Sequence, residues 1–523
     1  MAEWDDGYVT DVPYVTGYYT ETTPVWIGTA ATLLGLAAAD LTQPFCYADL
    51  GCGNGVTALV VAATMPRAEV WAFDFNPAHI GSGRDIARRA GLTNIHFEEA
   101  SFEDLAHDSR DALPRFDYLV AHGVLSWISL ENRARMFSAI GRRLAPGGVA
   151  YISYNLATGW TGMRPVRTLM RLLAEASPER SDVAVASVFA VLDKMKAAGA
   201  AMFQDHPELD QRLAGFRGHD PGYVAHELLN RDWHPVMFPA VAEAMAAIKC
   251  EYIGSATLQN NIAALTVPAT LLGMFGQIRD SGLRETLRDI ASAAGFRRDL
   301  YQRGPRRLSP TEHKGRIDAI ELARTFRPVP EPFTLSTVLG PVTPDVVNYP
   351  ALLRLFDAGP RTIGELLRHA KQAAWPDLAV TEAVLLLVGS GLLSPMLAEP
   401  PGDAAKQAAS RLNAVHAALF DQGYARSFLA YPALGAAWQA DELDVVALDE
   451  LRGGVVAEEA PLVTAVLERL TRGGRQLRHA GAVVMDPAAT REHVTFQVRE
   501  MLRQRLPTMR RLGVLDDAPA VPG

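Results

Sequence analysis

The sequence predicts an α/β protein in which a mostly parallel sheet is followed by mainly helical domains. Three observations predict it. Between about 46 and 155, short β-type runs alternate with longer polar-apolar periods, the pattern of βαβ units. A glycine-rich stretch, G-C-G-N-G from Gly51 to Gly55, follows the first run, where a strand must turn into a helix. Beyond about 160 the chain turns rich in Ala, Leu and Arg with helical spacing. At 523 residues it exceeds what one core can hold, so several domains are expected.

Residues 1–45 form a lead-in with Tyr8, Tyr14, Tyr18 and Tyr19, then an apolar helical stretch from Trp26 to Ala39. The α/β domain is placed at 46–160. Its candidate strands are 46–50, 69–73, 95–98, 118–121 and 149–154, with helices near 55–64, 77–90 and 131–144. A helical region spans 161–327 and holds the run Y-V-A-H-E-L-L-N-R-D-W-H-P from Tyr223 to Pro235. The Pro-rich passage from Arg327 to Pro332 reads as a boundary. A helical middle domain at 333–400 follows, its pattern compatible with a winged-helix shape, and then a C-terminal domain at 401–523 broken by Gly402, Gly453-Gly454 and Gly473-Gly474.

With 49% apolar and 21% charged residues the chain is neither disordered nor collagen-like. Its net charge of −9 argues against general affinity for nucleic acid or anionic membrane. From Arg284 to Arg327 eleven Lys/Arg face six Asp/Glu, which reads as a solvated helix face rather than an RNA surface. Cys46, Cys52 and Cys250 have no C-x-x-C spacing, so they are expected to be reduced thiols of a cytoplasmic protein, with no metal site. Two uncharged stretches, 22–39 and 252–278, are short or carry polar residues and Pro, so no membrane insertion is expected. The opening M-A-E-W-D-D is acidic and gives export no support.

The loop Y-A-D-L-G-C-G-N-G places Asp49 ahead of Gly51, Cys52, Gly53 and Gly55. Such glycines let the chain turn sharply and bring backbone N–H groups close to a nucleotide-like ligand at a helix N-terminus. A dinucleotide fingerprint would need Gly or Ala where Val56 stands, so that match is broken. Instead, the segment resembles the first motif of class I S-adenosylmethionine-dependent methyltransferases. The resemblance implies a seven-stranded Rossmann-like sheet, with the loop around the methionine part of the cofactor and Asp49 near its amino group. Asp74 in W-A-F-D-F-N-P, beside Phe75, would hold the ribose hydroxyls. Ala100, Ser101 and Phe102 in E-A-S-F-E-D-L would flank the adenine, and L-A-P-G-G would enter the fifth strand. Cys52 reads as a small loop residue rather than a nucleophile.

At the expected fourth strand the sequence A-H-G-V-L-S-W-I-S puts His122, Gly123 and Trp127 near the reactive end of the cofactor. Two roles stand open for His122: proton acceptor, or hydrogen-bond partner of cofactor or backbone. Tyr154 and Asn155 after strand five line an acceptor channel or serve packing. No N-P-P-Y motif is present, which lowers nucleobase and glutamine acceptors.

Further strings, including Y-V-T-G-Y-Y-T-E-T-T-P, H-G-V-L-S-W-I-S and the 223–235 run, resemble bacterial methyltransferases with a methyltransferase regulatory domain, among them protein-lysine methyltransferases of outer-membrane proteins. This resemblance implies a homodimer and an open cavity for a protein substrate. It also implies that Tyr14 and Tyr18 close over the cofactor, and that Tyr223, His226, Glu227 and Asn230 face the cleft. The i, i+3, i+7 spacing of Tyr223, His226 and Asn230 gives one helix face, which equally suits a buried polar network. The catalytic candidates are therefore His122, Tyr154, Tyr223 and His226, with Trp127, Asn155, Glu227 and Asn230 on the acceptor side. The expected activity is methyl transfer to a protein nitrogen, foremost lysine, leaving S-adenosylhomocysteine. A small-molecule acceptor and a non-catalytic cofactor sensor are the alternatives.

Overall fold

Seven strands form one sheet: β1 (Phe45–Leu50), β2 (Ala68–Asp74), β3 (Ile95–Glu99), β4 (Phe116–Ala121), β5 (Leu144–Asn155), β6 (Cys250–Ser255) and β7 (Phe296–Arg303). Their order is β3-β2-β1-β4-β5-β7-β6. Neighbours among β1 to β5 pair parallel, whereas β7 runs antiparallel to both β5 and β6. The computed structural model describes residues 7–12, 17–107, 113–345, 348–375, 377–423, 428–474, 478–479, 482–483 and 486–515.

The first five strands fall where alternation and β-branched runs put them. The last two lie in the region read as mostly helical, and their sequences explain why. Strand β7 reads F-R-R-D-L-Y-Q-R, without apolar alternation, because its inward charges neutralise one another. Arg297 donates to Asp299 at 2.9 Å, Asp289 at 2.8 Å and Glu285 at 3.0 Å, with all four side chains buried. Part of the Arg-rich stretch is thus interior and not a solvated face.

Helices α1 (Pro24–Leu33), α2 (Val56–Thr64) and α3 (Pro77–Arg89) precede or connect the early strands. All of α2, V-T-A-L-V-V-A-A-T, is buried, since the sheet takes one side and the helix Asp403–Asp421 packs on the other. A helix hydrophobic all round has no face left for water. Glu321–Arg324 pairs antiparallel with Arg361–Thr362 and Leu393–Pro395, beside the helices Ile363–Gln372 and Asp377–Gly389. That pairing carries the middle unit back across the Pro-rich passage. The C-terminal region surrounds a hairpin of Phe428–Tyr431 and Ala436–Gln439 with helices.

Among the described residues, no helix is long and apolar enough to cross a membrane, and no group of three or more His, Cys, Asp or Glu could hold a metal ion. Strand order reverses between β1 and β4. Ligands of open α/β sheets bind at such a point, outside the carboxyl ends of the strands.

Candidate functional site

A cleft lies at that reversal, walled by the Gly51–Asn54 loop, Asp49, Asp74, Phe102, His122, Gly123 and Trp127. Asp49 and Asp74 reach it from the ends of adjacent strands, where Leu50 pairs with Phe73. Gly51, Gly53 and Gly55 have φ of +70°, +55° and +67°, the left-handed region. At Gly51 a Cβ would also sit 2.6 Å from Val124 Cγ2, so only glycine fits there.

The loop spends its donors on itself. Gly51 and Cys52 N–H groups donate to the Phe73 carbonyl at 2.8 and 2.9 Å, Gly53 N–H to Asp74 Oδ2 at 2.8 Å, and Gly55 N–H to the Cys52 carbonyl at 2.9 Å. This corrects the expectation that these amides reach out to a ligand. What the cleft presents instead is a pair of buried carboxylates, Asp49 at 7% and Asp74 at 6% exposure. Burial, and then the nearby Asp74, raise the Asp49 carboxyl to about 7. Such a site repels phosphate and favours a cationic ligand.

Asp74 is held rigidly. Its Oδ1 accepts the Asn76 N–H at 2.9 Å and faces His79 Nδ1 at 3.2 Å, and Oδ2 keeps a lone pair for a hydroxyl beyond the Gly53 bond. Phe75, Phe102 and Tyr8 supply apolar walls, with Tyr8 edge-on to Phe75 at 6.1 Å. Of the expected adenine-side residues, Phe102 lines the cleft. Ala100 donates its N–H to the Asp74 carbonyl at 3.0 Å, and Ser101 turns its hydroxyl to Asp104 at 2.7 Å. The side chains therefore fit an adenosyl sulfonium: carboxylates for its positive charges and hydroxyls, and aromatic walls for a base.

At the reactive end, Gly123 has φ of +65° and a Cβ there would meet nothing within 4 Å, so its missing side chain leaves cleft space open. His122 Nδ1 lies 2.8 Å from the Tyr151 hydroxyl and 3.3 Å from Ser153 Oγ. Burial, with Arg298 adding to it, pushes the imidazole down to about 3. His122 is thus neutral at ordinary pH and too weak a base to compete for an ammonium proton. The Tyr19 ring lies over it, centroids 3.8 Å apart. Trp127 completes the wall.

Several expected residues stand elsewhere. Tyr154 is fully buried and its hydroxyl donates to Asp299 at 2.5 Å, which removes it from the cleft and makes it part of the ion network. Tyr18 is not a cofactor cover. Its hydroxyl accepts the Ala437 N–H at 2.7 Å and its ring stacks on Phe428. Tyr14 lies outside the described residues. Cys52 lines the cleft, but burial followed by Asp49 raises its thiol well above the usual range, so it is no nucleophile.

The helix Pro221–Leu228 starts at Asp220, whose carboxylate accepts the Gly222 N–H at 2.8 Å, with Pro221 at its first position. It ends before Asn230, so the i+7 reading fails. Asn230 is buried and accepts the Val9 N–H at 2.8 Å, while His226 is buried with Nε2 at 3.1 Å from the Val12 carbonyl and its ring against Tyr8. These two fasten the N-terminal segment rather than meet an acceptor. Tyr223 and Glu227, four residues apart, share the remaining face, and both influence Tyr19 or one another electrostatically. Asn155, at the end of β5 and 2% exposed, turns its amide toward Glu227. Tyr8, Tyr19 and His79 belong to the site but were not expected in it. Tyr19 stands beside Tyr18 in one Y-Y pair, and the alternating directions of an extended chain were the available signal.

Residues 46–184 match the family described as methyltransferase domain, and 220–303 that described as predicted methyltransferase regulatory domain. The uncharacterized protein sll1526 of Synechocystis sp. is 28% identical over 511 residues, covering 98% of this chain and 99% of its own. Trans-aconitate 2-methyltransferase of Methylobacterium nodulans is 29% identical over 227 residues, 42% of this chain and 79% of its own. Among solved structures, PKMT2 from Rickettsia typhi in complex with AdoHcy superposes with a TM-score of 0.69 at 19% identity, over 95% of this chain and 99% of that one. The fold is thus common to the two over nearly their whole lengths.

Proposed function

We propose that this S-adenosylmethionine-dependent methyltransferase delivers its methyl group to a nitrogen on a protein, foremost a lysine side chain. One observation carries the reading. The turn Thr20–Thr22 is a wall shared by two spaces: Tyr19 and Thr22 face the cofactor cleft, while Thr20 and Glu21 face an open cavity of about 1600 Å³. A cavity of that size, bordered also by Asp220, Phe326, Trp438 and Asp441, suits a polypeptide better than an enclosed metabolite. The likeness in fold to PKMT2, whose name denotes a protein lysine methyltransferase, supports the same acceptor class.

When bound, the cofactor supplies an electrophilic methyl group on a sulfonium. The chain's own residues do the rest by position. Asp49 and Asp74 hold the cationic and hydroxyl-bearing parts, Tyr19 and Trp127 keep water from the reactive end, and neutral His122 braces Tyr19 without adding a repelling charge.

The test is mass spectrometry of lysate proteins after incubation with the enzyme and heavy-methyl cofactor. Mass shifts on lysines support the reading. Heavy methyl found only in small molecules would replace it with metabolite methylation, and cofactor binding without transfer would make the chain a sensor.

A further inference from the structure

We propose that a second pocket, at the junction of the middle unit and the C-terminal region, binds a small phosphate polyanion: a triphosphate group, free or carried on a nucleotide. The proposal is independent of the acceptor assigned above. The pocket has a volume of about 500 Å³ and lies between the strand Glu321–Arg324 with the passage after it, the turn Leu355–Ala358 and the C-terminal stretch from Glu500 to Leu512. Sites for small ligands run from about 300 to 1,000 Å³, so the space suits a compact molecule.

Its wall is cationic in an acidic protein. Arg324, Arg327, Arg503, Arg505 and Arg511 stand in it against two acids, Asp357 and Glu500, whereas the whole chain carries a net charge of −9. Pairing offsets only part of that excess. Arg324 Nη1 donates to Asp357 Oδ1 at 2.6 Å, and Glu500 accepts from the side-chain amide of Gln504. Arg505 Nη2 lies 3.2 Å from Asp444 Oδ1, but burial raises that carboxyl to about 7, so at neutral pH it balances the guanidinium incompletely. Arg327, Arg503 and Arg511 have no ion pair or side-chain hydrogen bond among the described residues, and Arg505 Nε is buried with no partner among them.

The backbone holds these side chains in place. A π-helical turn, Met501–Arg505, interrupts the α-helical run between Pro487 and Arg511, and its Arg503, Gln504 and Arg505 all line the pocket. Such turns are rare and recur at functional sites. Gly359 has φ of +134°, and a Cβ there would lie 3.2 Å from Arg511 Nη1, so the missing side chain lets the guanidinium lie against the backbone. Like charges held in one recess repel, and an anion that meets them together relieves the repulsion. Guanidinium forks match phosphate oxygens in pairs, and several forks in one recess favour charge packed on few atoms over the spaced carboxylates of an acidic peptide. An extended nucleic acid would meet the negative charge of the chain as a whole, whereas a compact anion meets only the local field.

Thr325, Phe326, Arg327, Pro328 and Arg505 line both this pocket and the open cavity of about 1600 Å³. A bound polyanion therefore shares a wall with the space read above as the acceptor's. It also joins the middle unit to the C-terminal helices, and a ligand that binds only the folded chain stabilises it by mass action.

The experiment is calorimetry of the full chain with tripolyphosphate, ATP and hexa-aspartate, with thermal unfolding alongside. Arg503 and Arg511 are exposed, so both can be changed without opening the core. We expect saturable one-site binding of tripolyphosphate, weakened about a hundredfold when Arg503→Gln and Arg511→Gln are combined. The pair Arg503→Lys and Arg511→Lys keeps the charges without the forks and should lose less. The unfolding midpoint of the wild type should rise with tripolyphosphate, and that of the Gln pair should rise less. ATP binding more tightly than tripolyphosphate supports the proposal with a nucleotide as the source, and the reverse order supports it with a free phosphate chain. No saturable binding of either up to about 1 mM overturns the proposal. So does equal affinity in the wild type and the Gln pair, or tighter binding of hexa-aspartate than of tripolyphosphate.

Discussion

Tyr18 and Tyr19, adjacent in the chain, are held by different parts of the molecule. The Tyr18 hydroxyl accepts the Ala437 N–H at 2.7 Å and its ring stacks on Phe428 at 5.5 Å, whereas the Tyr19 ring lies 3.8 Å from His122. The C-terminal hairpin therefore anchors the segment that covers the reaction end. Tyr18→Phe would leave a buried donor unpaired, at a cost of about 1–3 kcal/mol. Denaturant unfolding should show a loss in that range, and an unchanged midpoint would mean the anchor is idle.

Asp49 supplies a pH dependence with a definite sign. In the free protein it is raised to about 7, so it is mostly protonated at pH 6 and mostly ionised at pH 8. A cationic ligand prefers the ionised form, and its affinity should rise about tenfold from pH 6 to 8. Asp49→Asn should remove that rise and bind weakly throughout. Calorimetry at three pH values decides it.

Gly51→Ala forces a side chain into φ of +70° and against Val124. The strain is about 1–3 kcal/mol, and the loop must shift to relieve it. Cofactor affinity should fall at least tenfold while far-UV circular dichroism stays unchanged.

Arg297 is ion-paired with Asp299, Asp289 and Glu285 inside the sheet's added edge. Arg297→Met would strand buried carboxylates and cost about 3–5 kcal/mol at pH 8. Burial already raises the Asp289 and Asp299 carboxyls, and without the guanidinium these two rise further above their unfolded values, so the native state binds more protons and the loss should shrink as pH falls toward 5. Equal destabilisation at both pH values would refute this account of β7.

The sequence made strands β1 to β5 and the glycine loop legible because each pairs a local pattern with its own turn chemistry. It hid β6 and β7: β7 carries a buried ion network of Glu285, Asp289, Arg297 and Asp299, and charged residues in a strand look like surface. It placed Asp49, Asp74, His122 and Gly123 on one cleft because all four stand at strand ends. Tyr154, His226 and Asn230 were out of reach of such reasoning: which side of β5 or of the helix Pro221–Leu228 meets the cleft depends on where the N-terminal segment lies. Tyr18 and Tyr19 differ only in direction, and that direction is set by a hairpin some four hundred residues away.

The central claim is that the turn after β1 houses an adenosyl sulfonium donor. A crystal structure with S-adenosylhomocysteine tests it most directly. We predict the ribose hydroxyls against Asp74, the amino group near Asp49 and the sulfur toward His122 and Gly123. A ligand seated elsewhere, or none under saturating conditions, would contradict it.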